Sequence, residues 1–418
     1  MDRLFVQGPA KLSGNVEISC AKNAYLPIMA ALPLTKKPIY LKKLPKLRDI
    51  NTMKLLLGNL GIELEEKEDG IVFDASKMNS YEATYELVKT MRASIFILGP
   101  LLGRFGKAKV SLPGGCAIGT RPIDIHLDNL AKMNVSIKLE GGYVFASTDE
   151  LKGAHMVLSF PSVGATENLM MAGVYAKGET IIENAAKEPE IEDLANFLNS
   201  LGAKIEGAGT SIIKVTGVSE LNEGTYQAIG DRIEAATYIM AGLITKSEII
   251  VKGFNPSHIS SVIEILKKAG AKLEIGDDFV KTFPCTLKGV IIDTAPYPGY
   301  PTDAQAQIIS LMTQSLGATT VSENIFENRF MHVPELVRMG AKIIIKGNIA
   351  IIEGEKELTA APVMCTDLRA SAALVLAALV AKGETEIRRV YHIDRGYEDI
   401  DNKLINLGVK VKRINDGT

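Results

Sequence analysis

Phe197-Leu-Asn-Ser-Leu-Gly-Ala-Lys-Ile205 reads as the last turn of a helix, a stop at Gly202 and the start of a strand. Glycine takes the left-handed conformation that ends a helix without a Cβ clash. The same pattern returns at Leu57–Gly61–Leu64, Leu130–Asn134–Leu139, Ile265–Gly270–Leu273, Leu336–Gly340–Ile343 and Leu404–Gly408–Val411. The breaks at 61, 134, 202, 270, 340 and 408 are spaced 68 to 73 residues apart. Six copies of one unit are therefore expected, and the repeat decides the fold.

Working outward, each copy carries a second helix rich in small apolar residues: Tyr25–Leu34, Ala93–Gly103, Asn168–Ala176, Ala235–Ile244, Ala306–Leu316 and Ala370–Ala381. A helix apolar nearly all round is buried on all sides. A short β-rich run follows each, such as Ile39–Leu41 and Thr180–Glu183. The unit thus reads β-α-β-α-β-β, with one buried and one amphipathic helix. The sixth unit lacks its ending, and Leu4-Phe-Val-Gln-Gly-Pro-Ala-Lys-Leu-Ser-Gly-Asn-Val-Glu-Ile18 matches the missing piece. Residues 3–8 are therefore expected beside Lys410–Ile414. Three units per domain is the simplest grouping. It gives a first domain over 22–229, carrying the Cys116 loop, and a second over 1–21 plus 230–418. Two chain crossings between domains suit a clamshell that closes on a ligand.

Composition narrows the function. The 418 residues are 46% hydrophobic and 23% charged, with net charge −2. No basic excess points to nucleic acid. The longest apolar run, Ala370 to Ala381, is too short for a membrane span. The opening Met-Asp-Arg-Leu-Phe-Val-Gln-Gly lacks a signal-peptide layout. Cys20, Cys116, Cys285 and Cys365 form no CxxC pair, and the five histidines are scattered. A cytoplasmic protein without metal or other cofactor is expected. No Walker loop or Rossmann fingerprint is present.

Candidate chemistry gathers where the buried helices begin. Asp231, Asp303, Asp367 and Thr166 there fit ordinary N-caps. Lys22, Arg92, Arg232 and Arg369 do not, because a cation opposes the helix macrodipole unless an anion lies between. Arg121 and Arg395 add charge on turns, so a substrate with several negative charges is expected. Cys116 lies in Pro113-Gly-Gly-Cys-Ala-Ile-Gly-Thr-Arg121. Either it is a reactive thiol whose pKa a nearby cation lowers, or it is a small residue tolerated in a glycine-rich turn. Cys20, Cys285 and Cys365 read as packing. His392 is the best placed histidine, because Arg395 shares its loop, although a structural role suits it better.

Several motifs together resemble one family. They are Lys22-Asn23, Thr90-Met-Arg-Ala-Ser, the cysteine loop with Pro122-Ile-Asp-Ile-His126, Ser162-Val-Gly-Ala-Thr, Glu183-Asn-Ala-Ala-Lys-Glu-Pro-Glu, Pro301-Thr-Asp-Ala-Gln, Phe326-Glu-Asn-Arg-Phe-Met-His, Thr366-Asp-Leu-Arg-Ala-Ser and Tyr391-His-Ile-Asp-Arg-Gly-Tyr-Glu. The family is that of the enolpyruvyl transferases, in the UDP-N-acetylglucosamine 1-carboxyvinyltransferase branch, and the resemblance spans the whole chain. It implies an α/β fold of two domains, each of three βαβαββ repeats forming an inside-out α/β barrel. It implies transfer of the enolpyruvyl group of phosphoenolpyruvate to the 3′-hydroxyl of UDP-N-acetylglucosamine, with release of phosphate, for peptidoglycan synthesis. By the same resemblance Cys116 is the general acid, a site of covalent adduct formation and the target of fosfomycin. Asp303 lies near the sugar hydroxyl as a base. Lys22, Arg121 and Arg395 hold phosphoenolpyruvate. Asn23, Arg92, Arg121, Pro122, Ile123, Asp124, Ile125, Ser162, Val163, Gly164, Asp303 and Ile325 meet the UDP-sugar. Asp367 and Arg369 act as a pair around the closed cleft. Some members carry a basic residue before Ser-Val-Gly, where this chain has Phe160-Pro161, so a diphosphate contact is supplied elsewhere or missing. Two alternatives stay open: 5-enolpyruvylshikimate-3-phosphate synthesis, and a sugar-nucleotide sensor without catalysis.

Overall fold

The computed structural model describes residues 2–88, 92–112 and 123–415, without side chains at 87, 88 and 92–94. All six expected breaks have a left-handed backbone, with φ of +92° at Gly61, +67° at Asn134, +102° at Gly202, +96° at Gly270, +101° at Gly340 and +92° at Gly408. Helices therefore stop where the repeat requires. Asparagine serves at the one break without glycine, since it tolerates this region better than most residues.

Each repeat contributes a four-stranded sheet, and all six sheets share one strand order. In the third repeat the strands are His155–Val157, Glu179–Glu183, Ile212–Thr216 and Lys204–Glu206, in that spatial order. The first pair is parallel, as a helical crossover demands, and the others are antiparallel. The crossover is the buried helix Val163–Gly173, and the amphipathic helix Pro189–Ser200 leads into the hairpin.

Over the described residues the chain divides into two compact units, one built from residues up to Ser19 and from Gly230 onward, the other from residues between Cys20 and Ile229. In the Cys20–Ile229 unit the late strand Gly224–Tyr226 is the first strand of the sheet that Ile39–Lys42 continues. In the other unit the N-terminal segment supplies two strands. Ser13–Glu17 runs parallel to Glu248–Lys252. Arg3–Gly8 lies between Gly383–Arg388 and Val411–Ile414, with Arg3 opposite Ile414 and Val6 opposite Val411. The expected completion of the sixth repeat is thus present.

Within each unit the three apolar helices pack on one another. Every residue of Arg232–Ile244 is buried, which explains its lack of a polar face. The buried helices Lys22–Ala31, Val163–Gly173, Arg232–Ile244 and Leu368–Ala378 each begin before their expected spans, and the other two open as 3-10 turns. Residues 92–97 form a 3-10 turn before the helix Leu98–Phe105. The fifth begins with a 3-10 turn over Thr302–Ala304 and ends at Met312, short of Leu316. Its end follows from local hydrogen bonding: Thr313 Oγ1 donates to the Ser310 carbonyl at 2.7 Å, and Ser315 Oγ to the Met312 carbonyl at 2.9 Å.

Candidate functional site

In the unit that includes residues from Gly230 onward, Asp303 sits in the short turn that opens the fifth buried helix. Its side chain does not cap that helix. Instead its Oδ1 accepts from Arg329 Nη2 at 2.8 Å and its Oδ2 from Arg369 Nη2 at 2.9 Å. Both arginine side chains are about as buried as the core, at 4% and 5% exposure, whereas Asp303 keeps 30%. The carboxylate is therefore clamped between two guanidinium groups and only partly exposed. Burial opposes the charge of Arg369, but Asp303 and its acidic surroundings hold the guanidinium above its ordinary range. The Arg369 guanidinium also lies 5.8 Å from the ring centre of Tyr397. The Tyr397 hydroxyl meets Thr237 Oγ1 at 2.8 Å and accepts from Gln307 Nε2 at 3.1 Å.

Asp367 and Asp231 are true N-caps. Asp367 accepts from the Arg369 and Ala370 amides, and Asp231 from those of Ile233 and Glu234. Ile325 lies on a loop organised by Glu323. The buried Glu323 carboxylate accepts from the Ile325 amide at 2.9 Å, the Phe326 amide at 3.1 Å, Thr294 Oγ1 at 3.1 Å and Thr302 Oγ1 at 2.9 Å. One side chain thus ties the turn of Asp303 to the backbone of Ile325. Arg395 ends the 3-10 turn Val390–Arg395, half-buried, and the His392 ring stacks 4.2 Å from that of Tyr391. His332 is buried as a neutral imidazole, pushed down to about 4 by desolvation.

In the Cys20–Ile229 unit, Lys22 is the first residue of the first buried helix and is itself buried. Its Nζ lies 3.1 Å from Asp49 Oδ2, so an internal carboxylate meets this helix-start cation. Asn23 follows it, half-buried. Ile123 precedes the helix Asp124–Lys132; Ile123 and Ile125 are partly buried and Asp124 is exposed. Ser162 caps the helix Val163–Gly173 by accepting from the Ala165 amide at 3.3 Å. Thr166 does not cap it: its hydroxyl donates to the Ser162 carbonyl and accepts from the Ala186 amide. Inside this helix Glu167 is fully buried, and burial, then the charges of Glu190 and Glu188, push its carboxyl well above the usual range. Phe160, at the point of departure from the family pattern, is 44% exposed.

Cys116, Arg121 and Pro122 lie outside the described residues, as does the side chain of Arg92. Cys20 and Cys365 are buried, and burial pushes the Cys365 thiol up to about 12, in keeping with packing roles. Among the described residues no group of His, Cys, Asp and Glu could hold a metal ion, and no helix is long and apolar enough to cross a membrane. Asp49, Arg329, Glu323 and Tyr397 have places in these clusters that sequence reasoning left unassigned. Arg329 and Tyr397 stood inside the quoted motifs, and that was their only signal.

Six βαβαββ repeats in two units, with the helix-start cations Lys22 and Arg369 paired to Asp49 and Asp303, define an α/β repeat protein. Residues 6–404 match the EPSP synthase (3-phosphoshikimate 1-carboxyvinyltransferase) family, and the chain belongs to it. Within it the chain groups with proteins named UDP-N-acetylglucosamine 1-carboxyvinyltransferase. That of Erwinia tasmaniensis is 52% identical over 417 residues, covering 99% of both chains. That of Trichlorobacter lovleyi is 51% identical over 418 residues, covering 100% of both. Among solved structures, the enolpyruvyl transferase NikO from Streptomyces tendae superposes with a TM-score of 0.89 at 24% identity, over 99% of this chain and 98% of that one. EPSP synthase from Acinetobacter baumannii gives 0.78 at 17% identity, over 99% and 100%. At these identities the structures speak for the fold.

Proposed function

We propose that this chain transfers the enolpyruvyl group of phosphoenolpyruvate to the 3′-hydroxyl of UDP-N-acetylglucosamine, releasing phosphate, in the cytoplasm. The observation that carries this reading is identity of about half the residues, end to end, with proteins of that name. In the addition step the sugar oxygen bonds to C2 of phosphoenolpyruvate, the hydroxyl loses its proton, and C3 gains one. In the elimination step the C2–phosphate bond breaks and C3 gives a proton back, leaving the enol ether.

Cys116 is the proposed acid toward C3. Asp303 is the proposed acceptor of the hydroxyl proton, and its clamped, partly exposed carboxylate suits a group held in one orientation toward a hydroxyl. Lys22, Arg121 and Arg395 are the proposed partners of the phosphate and carboxylate of phosphoenolpyruvate, where fixed positive charge would stabilise the tetrahedral intermediate. Asn23, Arg92, Arg121–Ile125, Ser162–Gly164 and Ile325 are the proposed UDP-sugar contacts. Arg369 acts through Asp303. Asp367 acts through the start of the helix that carries Arg369.

Phosphate release with both substrates tests the reading. Turnover with UDP-N-acetylglucosamine, none with shikimate 3-phosphate, and inactivation by fosfomycin are expected. Cys116→Ser and Asp303→Ala should each lower kcat by about 100-fold or more, in line with loss of an acid or base. Cys116→Asp should stay active and resist fosfomycin, because a carboxyl still delivers a proton. Phosphate release unchanged in both loss variants would overturn the assignments.

A further inference from the structure

Besides Asn23, the proposed UDP-sugar contacts of the Cys20–Ile229 unit include three separate described segments: the turn Arg92–Ile97, the residues Ile123–Ile125 and the residues Ser162–Gly164. They come from two different repeats, and no strand pairing joins them directly. What joins them is a buried polar cluster that the reaction itself does not use. Asn168 is fully buried and His126 is 6% exposed. Asn168 Nδ2 donates to His126 Nδ1 at 3.1 Å and to the Ile95 carbonyl at 3.3 Å. Asn168 Oδ1 accepts from the Gly99 amide at 2.7 Å. One side chain on the Val163–Gly173 helix thus reaches both of the other segments.

The backbone is seated as closely as the hydrogen bonds suggest. A Cβ on Gly164 would lie 2.7 Å from Phe96 Cε1 and 3.5 Å from His126 Cε1. A Cβ on Gly99 would lie 2.4 Å from the Asn168 carbonyl oxygen and 2.6 Å from Asn168 Oδ1. Gly164 and Asn168 are four residues apart on one helix, so they share a face. That face meets His126 just after Ile125 and meets Phe96 in the turn that begins at Arg92. Burial keeps the His126 ring neutral, down at about 4, and with the Asn168 amide oriented by Gly99 the Nε2-protonated tautomer leaves Nδ1 the lone pair that Asn168 needs.

We propose that His126 and Asn168 form a buried joint that sets the registry of these three segments, which makes both of them positioning residues for the sugar nucleotide. The inference rests on the reading of the segments given above. A joint of this kind acts chiefly on one substrate, because two of the three residues proposed for phosphoenolpyruvate, Lys22 and Arg395, lie on other elements, and Arg121 alone adjoins a joined segment. A polar cluster that served only the core would lower stability and touch both substrates alike.

The experiment is steady-state kinetics with each substrate varied in turn, on wild type, Asn168→Ala, His126→Phe and His126→Gln, with a melting curve for each. Loss of a buried partner is worth about 1–3 kcal/mol, so KM for UDP-N-acetylglucosamine should rise by about 10-fold or more in Asn168→Ala and His126→Phe. KM for phosphoenolpyruvate should move by less than about threefold. His126→Gln offers Asn168 a carbonyl acceptor and should recover most of the loss. If Asn168→Ala fails to fold, the contrast between His126→Phe and His126→Gln decides. Equal shifts in both KM values, no shift in either, or no recovery in His126→Gln would overturn the joint while wild-type turnover still upheld the reaction. No turnover by the wild type would overturn the reaction and the joint with it.

Discussion

At Asp303 one carboxylate pairs with two buried guanidinium groups, from residues 26 and 66 positions further along the chain. The arrangement is asymmetric. Loss of either arginine leaves Asp303 partly exposed and still paired. Loss of the carboxylate leaves two arginines, at 4% and 5% exposure, without the partner they share. Breaking a buried pair from that side costs about 3–5 kcal/mol. Asp303→Ala is therefore expected to unfold at clearly lower urea concentration than wild type, and Arg329→Leu to lose less. The double variant Asp303→Ala, Arg369→Leu should regain part of the loss. An Asp303→Ala protein as stable as wild type would sink the argument. These pairs also show why the site was only partly legible. Lys22 and Arg369 stand out because each breaks a local rule about helix starts, whereas Asp303 reads as an ordinary N-cap and only the motif around it marks it. Arg329 and Asp49 break none, and their roles come from pairing across the chain, which no spacing records.

Between elements, single buried carboxylates act as ties. Glu323 carries four donors from three segments, and Glu323→Ala leaves them to find water. The expected outcome is a higher KM for UDP-N-acetylglucosamine through a loosened Ile325, by about 10-fold, with Glu323→Gln intermediate. Unchanged kinetics in Glu323→Ala would rule this out. Glu234 ties the start of the Arg232–Ile244 helix to Ser19 and Lys403. Its Oε2 accepts from the Ser19 amide at 2.9 Å, and its Oε1 lies 2.7 Å from Lys403 Nζ. Burial lifts this carboxyl from 4.5 to about 7, against the pull of Lys403. The folded state therefore holds a proton there that the unfolded state has released. The contribution is fully present below pH 4.5 and is lost as pH rises through 7, amounting to about 3 kcal/mol. His126 works in the opposite direction, losing stability as pH falls from 6.5 to about 4. Subtracting the pH profile of Glu234→Gln from that of wild type isolates the glutamate. The difference should fall toward neutral pH, and a flat difference would contradict the assignment. Helix and strand identities were readable because Gly and Asn breaks mark a period. Helix ends were less so: the stop at Met312 depends on Thr313 and Ser315 bonding back to their own helix, which ends it before Leu316.

The repeat has a consequence for the molecule as a whole. Each unit closes by borrowing strands across a long stretch of sequence, and the unit from Gly230 onward borrows from the first nineteen residues. Leu4 and Val6 are fully buried, and Leu12, Val16 and Ile18 are 2%, 4% and 5% exposed. Burying such side chains is worth about 1.5–3 kcal/mol each, so the segment supplies roughly 7–15 kcal/mol before its own ordering cost. That is comparable with the whole stability of an ordinary domain, about 5–15 kcal/mol. Residues 230–418 alone should therefore fail to fold, with two of their three sheets a strand short. The same register offers the remedy. Arg3 lies opposite Ile414 in an antiparallel pair, so the two chain ends are neighbours in that sheet. Neighbouring ends tolerate permutation. A permuted chain running from 230 to 418, through a short Gly/Ser linker, into residues 2–19 restores both strands in their native directions. It should show a cooperative melt and native-like circular dichroism, whereas 230–418 should show neither. Cooperative folding of 230–418 without the segment would mean that the borrowed strands decorate the sheets and do not complete them.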